Sequence, residues 1–213
     1  MTSGALGVAV VGPSGLVGQE ILELLDARQF PVGELRLLGS VRTAGSEVER
    51  GRRSERIALL DAESFDAIDV AFFAAGPKVA GEYCPVASAA GAMVIDLSSR
   101  FRLDPAVPLV VPEVNAVALR NGREHGIVAS PSAVAIALAV VLAPLREAAG
   151  LRRVVVSTYQ GSAGAGRAAV ERLSREMGQP QWYQILEALV EAMKPYARHG
   201  VNVNVDFYAG VVY

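Results

Sequence analysis

Val8-Ala-Val-Val-Gly12-Pro-Ser-Gly15-Leu-Val-Gly18 is the stretch that most narrows what this chain can fold into. Its β-branched run reads as a buried strand, and three glycines follow at the spacing G-x-x-G-x-x-G. Beyond them Leu16, Val17, Ile21, Leu22, Leu24 and Leu25 predict the apolar stripe of an amphipathic helix. A strand, a glycine turn and a helix N-terminus together make an anion site. The first-turn amides have no intrahelical acceptor, and the helix dipole turns its positive end toward the loop. On this reading Gly12 permits the tight turn, Gly15 admits a pyrophosphate, and Gly18 lets helix and strand pack closely. Glycine spacing alone is a weak signal; the strand before it and the helix after it give it weight. The predicted cofactor contacts here are Gly12, Ser14, Gly15, Leu16, Val17 and Gly18.

Composition sets the limits around that loop. With 213 residues, of which 52% are hydrophobic and 20% charged, the chain can bury a sizeable core. A net charge of −2 gives no general attraction to nucleic acid or to an anionic membrane, so neither is expected as a partner. The one cysteine, Cys84, excludes an internal disulfide and fits a reducing compartment. The N-terminus runs into the first strand without a basic segment, so no signal peptide is expected and the predicted location is the cytoplasm. The longest apolar run, Ala133 to Leu145, is too short for a bilayer and contains Pro144; it predicts a buried helix. No metal is expected.

Further strands are predicted at Gly33–Ser40, Asp69–Gly76, Ala92–Leu97, Leu109–Val111 and Ile127–Ala129. Helices are predicted from about Val79 to Ala90, kinked or restarted at Pro85, and from Ser132 to about Leu145. This alternation indicates an α/β fold, a Rossmann-type doubly wound parallel sheet, followed by a short, incomplete second α+β domain. The expected divisions are a dinucleotide-binding domain at 1–128, a partial catalytic and dimerisation domain at 129–178, and a segment of different character at 179–213. In such a fold the end of the second strand meets the adenosine ribose, where an acid would favour NAD. Ser40, Arg42 and Thr43 stand there instead, two hydroxyls and a guanidinium fork suited to a 2′-phosphate, so NADP is favoured over NAD. Ala75 and Gly76 are small residues where the backbone can approach the same ligand. Glu47–Ala58 reads as an edge hairpin or an exposed loop, and Cys84 as a small core residue.

Five motifs follow in order: Gly12-Pro-Ser-Gly15-Leu-Val-Gly18, Ser40-Val-Arg42-Thr-Ala-Gly45, Phe72-Phe-Ala-Ala-Gly76, Ile95-Asp-Leu-Ser98-Ser99-Arg-Phe101-Arg102 and Val111-Pro-Glu-Val-Asn115. Ser157-Thr-Tyr159-Gln160 and Gly164-Ala-Gly166-Arg167 continue the series. In these motifs, over about residues 7–173, the chain resembles the aspartate-semialdehyde dehydrogenase family. The resemblance implies NADP-dependent interconversion of aspartyl phosphate and aspartate semialdehyde, through a cysteine thiolate that forms a thioester. It implies that Arg102 binds the substrate phosphate and that Gln160 orients the acyl group. The family's nucleophile motif, like Ala-Asn-Pro-Asn-Cys, reads here Ala129-Ser130-Pro131-Ser132-Ala133. Ala133 therefore holds a vacant nucleophile position, since a methyl group forms no thioester. Ser132 lies one residue off, and its alkoxide would need a strong base. The family's asparagine before the serine pair is Leu97 here. Its later acid, carboxylate-binding arginine and general-base histidine are not matched, and His125 and His199 read as surface or capping residues. The pattern resembles the family's cysteine-lacking, non-catalytic relatives.

From Gln179 the character changes. Trp182, Tyr183, Ile185, Leu186, Leu189, Val190 and Met193 make a helical stripe, and Val201 to Phe207 alternates like a strand. This stretch resembles the end of bacterial citrate synthases, in which Asp206 would match the catalytic aspartate. Both histidine motifs of that family are missing, so citrate synthase activity is excluded and Asp206 reads as a surface or capping residue. The strand expected at Val154–Tyr159 would carry an uncovered face and edge, which predicts a homodimer through this region or marginal stability. Three functions stay open: an NADP-binding family member with impaired catalysis, acting on a phosphorylated acid if on anything; a binding or interaction module without cofactor; or a composite chain with a citrate-synthase-like end.

Overall fold

The computed structural model describes residues 4–51, 53–120, 126–158, 161–162 and 166–177. The chain divides into two compact units, Met1–Val156 and Ser157–Tyr213.

In the first unit the strands are β1 (Leu6–Val11), β2 (Val32–Gly39), β3 (Glu47–Arg50), β4 (Arg53–Arg56), β5 (Ala58–Leu59), β6 (Val70–Phe73), β7 (Met93–Asp96) and β8 (Ile127–Ala129). The helices are α1 (Leu16–Ala27), α2 (Pro77–Ala89), a single turn α3 (Pro112–Asn115) and α4 (Ala133–Ala149), with short 3-10 turns at Ala62–Phe65 and Ala116–Ala118. Among the described residues six strands form one sheet in the order β5-β2-β1-β6-β7-β8, every neighbouring pair parallel. The register runs Val8↔Leu35 and Val8↔Val70 on the two sides of β1. This is the doubly wound, Rossmann-like α/β fold.

β1 shows why helices lie on both faces. Side chains alternate along a strand. Val8 and Val10 pack with Ile21, Leu22 and Leu25 of α1, whereas Ala9 and Val11 pack with Phe73 and, through the same cluster, with Ala80, Cys84 and Ala87 of α2. A strand buried on both sides reads as an unbroken apolar run. Phe65 and Phe73 stack in the α2-side core with ring centroids 5.9 Å apart.

Five local expectations need correction. The buried stripe of α1 is Gly18, Ile21, Leu22 and Leu25, while Leu16, Val17 and Leu24 are exposed. At 100° per residue only the i, i+3, i+4, i+7 set can face the sheet together. Leu109–Val111 is not a strand; Leu109 makes a single bridge to Ala129, and α3 begins at Pro112. Residues 154–158 carry no strand. Pro85 and Pro144 both lie inside helices, so α2 is not restarted and α4 runs on to Ala149. None of the described residues of α4 is buried, against the expectation of a buried helix, and Val140, Val141 and Leu145 are exposed. Apolar composition gives a helix a tendency to be covered; burial needs a neighbour, and α3 is the element packed against it. β3 and β4 form a charged antiparallel hairpin, which Arg50 ties to α1 through its ion pair with Asp26.

In the second unit the described residues include helix α5 (Arg167–Met177), with an Arg172–Glu176 ion pair one turn apart at 2.7 Å. Gln160, His125, His199, Trp182 and Asp206 lie outside the described residues.

Candidate functional site

The connection after β1 leaves toward β2 and the connection after β6 leaves toward β7, in opposite directions along the sheet. The carboxyl ends of β1 and β6 therefore border a crevice, the position where open α/β sheets take ligands. Gly12 closes β1 with φ +83°, and a side chain there would press on the Ala74 carbonyl at 3.1 Å. Gly18 sits against the turn, where a β-carbon would lie 2.7 Å from Pro13 Cα and inside contact of the Gly12 carbonyl oxygen. Gly15 is different. A β-carbon on it would meet only the Gly12 oxygen, at 3.4 Å. It caps α1 without a side-chain hydrogen bond, and its own amide donates to the Gly12 carbonyl at 3.2 Å. Leu16 and Val17 follow as the first two residues of α1, exposed beside the loop.

A cleft of about 460 Å³ opens here. Gly12, Ser14 and Gly15 form one side, Ser40, Val41, Arg42 and Thr43 a second, and Ala74 and Ala75 a third. Gly76 is the N-cap of α2, just outside this lining. The 40–43 turn is built from main-chain bonds. Thr43 and Ala44 amides donate to the Ser40 carbonyl at 2.9 and 2.8 Å, and the Thr43 hydroxyl donates to the same oxygen at 3.3 Å. Gly39 makes room for this fold-back, since a β-carbon there would reach Ile57 at 2.7 Å. Arg42 is exposed at the cleft's mouth. Leu59, Leu60, Val79 and Tyr83 close the remaining side. Sequence reasoning missed these four, although Val79 and Tyr83 stand at i, i+4 just after Gly76, a legible signal for one helix face.

The sequence also pointed to residues around Ala133, at the ends of β7 and β8. Asp96, fully buried, accepts from the Ser98 amide at 2.8 Å and the Ser98 hydroxyl at 3.0 Å. Arg102 donates through Nε to the Ser130 carbonyl and through Nη2 to the Leu97 carbonyl, each at 2.9 Å. Its guanidinium thus ties the end of β7 to the segment leading into α4. Ser132 caps α4, its hydroxyl accepting from the Ala135 amide at 3.4 Å, and Ala133 is the first helical residue, exposed. A thiol at this position would feel the positive end of the helix, but the residue is alanine. Cys84 does not substitute for it. It lies wholly buried on α2, and burial, followed by the charge of Asp96, pushes its thiol well above the ordinary range. A second cleft of about 450 Å³ beside β7 and β8 is apolar, bounded by Met93, Ile95, Val128 and Ser130. No group of three metal-ligating side chains occurs among the described residues, and no described helix is long and apolar enough to cross a membrane.

Comparison with known proteins agrees with this architecture. The family model described as semialdehyde dehydrogenase, NAD binding domain, matches residues 7–122. The model for the semialdehyde dehydrogenase dimerisation domain matches residues 142–208. The second match crosses Gly178 and takes in most of the citrate-synthase-like stretch. An aspartate-semialdehyde dehydrogenase of Rickettsia conorii is 43% identical over 166 residues, 78% of this chain and 49% of the relative. One from Aquifex aeolicus is 44% identical over 170 residues, 79% of this chain and 50% of the relative. Among solved structures, aspartate semialdehyde dehydrogenase II of Vibrio cholerae, complexed with ASA, superposes with a TM-score of 0.73 at 40% identity. That match covers 79% of this chain and 50% of the other. The chain spans about half the length of the relatives it matches.

Proposed function

Because the chain belongs to the semialdehyde dehydrogenase family, we propose that it binds NADP in the cleft above β1 and β6 and that the family's acyl chemistry is lost. One observation carries the reading: the Gly12–Gly15 turn and the Ser40–Thr43 turn face one cleft, while the nucleophile position at the start of α4 is Ala133. The cleft fits the cofactor's chemistry. Gly15 leaves space beside the positive end of α1, as a pyrophosphate needs. Arg42 supplies a guanidinium where an acid would otherwise select a free ribose hydroxyl, which supports NADP over NAD. NADP, when bound, exchanges hydride with a substrate. Without a thiol at position 133 there is no residue to form the acyl intermediate on which the interconversion of aspartyl phosphate and aspartate semialdehyde depends.

The division into 1–128, 129–178 and 179–213 is part of this proposal, as is a homodimer, which the match to a dimerisation domain supports. A single buried thiol fits the reducing cytoplasm. The test has two arms. NADPH titration followed by thermal shift gives a saturable rise in melting temperature; no saturable response at millimolar NADPH refutes cofactor binding and favours a binding module without cofactor. Incubation with aspartate semialdehyde, phosphate and NADP gives no NADPH; robust turnover refutes the loss of catalysis.

A further inference from the structure

Among the described residues the lining of the cleft holds one cation, Arg42. A phosphate monoester carries about −1.5 to −2 charges at neutral pH, more than one guanidinium neutralises. A second guanidinium stands beside the same turn but comes from a different element. Arg56 ends β4, is exposed, and lies outside the motifs of the family resemblance. Its Nη2 lies over Gly45, 3.7 Å from where a β-carbon would be. The hairpin register explains the approach. Arg56 pairs with Glu47, and Gly45, two residues before Glu47, is its diagonal neighbour. Main-chain bonds hold the two segments together: the Gly45 amide donates to the Ile57 carbonyl at 2.8 Å, and the Ile57 amide to the Ser46 carbonyl at 2.9 Å. Ser46 in turn locks onto the ribose-side turn, its amide and hydroxyl donating to the Thr43 carbonyl at 3.2 and 2.6 Å.

The Arg56 guanidinium is also uncommitted. Arg36, Arg50 and Arg172 are spent in ion pairs, whereas Arg56 makes none with a described residue. Glu47, opposite it on the hairpin, instead accepts a hydrogen bond from the Ser54 hydroxyl at 2.6 Å. We propose that Arg56 is a second positive group for the cofactor's 2′-phosphate, supplied by the β3–β4 hairpin. This rests on the cofactor reading above, which puts that phosphate at Ser40–Thr43. Gly45 lies two residues beyond Thr43, at most ~7.6 Å along the chain. Over such a distance an exposed charge acts within one Debye length of about 10 Å, so its share is modest and falls with salt. Arg42 supplies a fork at the cleft's mouth, and Arg56 adds field from outside it. The preference for NADP over NAD then comes from two elements rather than from one turn.

The test uses the whole chain and isothermal titration with NADPH and NADH, which differ only in that phosphate. At about 0.05 M salt, Arg56→Ala is expected to weaken NADPH by about three- to fivefold, the order of an exposed charge pair. NADH affinity stays within about 1.5-fold of wild type, because it has no group for Arg56 to meet. Arg56→Lys keeps most of the NADPH affinity, since charge at a distance and not a planar fork is what acts. At about 0.5 M salt the difference between Arg56→Ala and wild type shrinks below about 1.5-fold. Arg56 is exposed, so the substitutions leave the melting temperature within about 2 °C of wild type. Wild-type affinity for NADPH in Arg56→Ala at low salt overturns the proposal while leaving the cofactor site standing. An equal fall for NADPH and NADH also overturns it, because Arg56 would then only prop the turn. No saturable binding of NADPH to the wild-type chain overturns the cofactor reading itself.

Discussion

Gly15 and Gly18 are three residues apart in one turn, yet replacing each with alanine should fail in a different way. In Gly18→Ala the new methyl would lie 2.7 Å from Pro13 Cα and 3.0 Å from the Gly12 carbonyl carbon. Both are backbone atoms, so no side chain can swing aside. Relief requires the turn and α1 to separate by about 1 Å, given carbon–carbon optima of 3.5–4.0 Å. Overpacking of that kind costs about 1–3 kcal/mol, and more when the neighbours are rigid. Against it stands the helix preference for alanine over glycine, up to about 1 kcal/mol. The net expectation is a loss of about 2 kcal/mol, or a melting temperature lower by about 4–8 °C for a chain of this size. In Gly15→Ala the methyl meets one atom at 3.4 Å, an ordinary contact, so the melting temperature stays within about 2 °C of wild type. The methyl occupies the approach to the α1 amides, however, and NADPH affinity is expected to fall by tenfold or more. Differential scanning fluorimetry with and without NADPH separates the two. If Gly18→Ala melts at or above wild type, the close packing of α1 on the Gly12 turn is wrong. If Gly15→Ala binds NADPH as wild type does, the pyrophosphate does not sit there.

Three further outcomes follow from other parts of the fold. Arg102→Ala leaves the Leu97 and Ser130 carbonyls without their charged donor and should cost about 1.5–3 kcal/mol in urea unfolding, and Arg102→Lys, with no planar fork, should not recover both bonds. Ala133→Cys should place a thiolate at the N-terminus of α4: iodoacetamide at neutral pH is expected to alkylate that position, while Cys84, buried and held as a thiol, stays unmodified until the protein unfolds. Turnover is not expected to return with it. Alkaline stability should report Cys84. Its thiol ionises near 9.0 in the unfolded chain and higher in the folded one, so above about pH 9 the unfolded chain has lost a proton that the folded chain keeps. Stability therefore falls as pH rises, by up to about 1.4 kcal/mol per unit from this group, and Cys84→Ala should flatten that part of the profile in urea titrations between pH 8 and 10.

The cofactor half of the molecule was legible because its signals are local. Val8 to Val11, Gly12 to Gly18 and the α1 stripe are contiguous, and each residue's part follows from its immediate neighbours. Even so, apolar composition outlines a broader stripe than the one that is buried. Apolar composition marked Leu16, Val17 and Leu24 with the buried set, and only helix geometry separates them from Gly18, Ile21, Leu22 and Leu25. The apolar wall of the cleft was missed because Leu59 and Leu60 come from one connection and Val79 and Tyr83 from another. They meet because β5 lies beside β2 and α2 packs over β6, a parallel order that no local pattern encodes. Arg102 shows the opposite limit. The resemblance marks it as a phosphate ligand, and no local pattern indicates that its Nε and Nη2 hold main-chain carbonyls of two loops.

That clamp bears on how the two sites relate. Arg102 and the Ser132 cap set the position of the first turn of α4 through main-chain bonds, and neither bond depends on the side chain at position 133. The geometry of that first turn is thus independent of which side chain stands at position 133. The cofactor cleft is framed by other bonds, the Gly12 and Ser40 turns, which share no residue with the Arg102 clamp. The side chain at position 133 therefore places no strain on the cleft. A chain built this way can give up acyl transfer and still bind a dinucleotide, and that physical independence is why binding and turnover have to be measured as separate quantities.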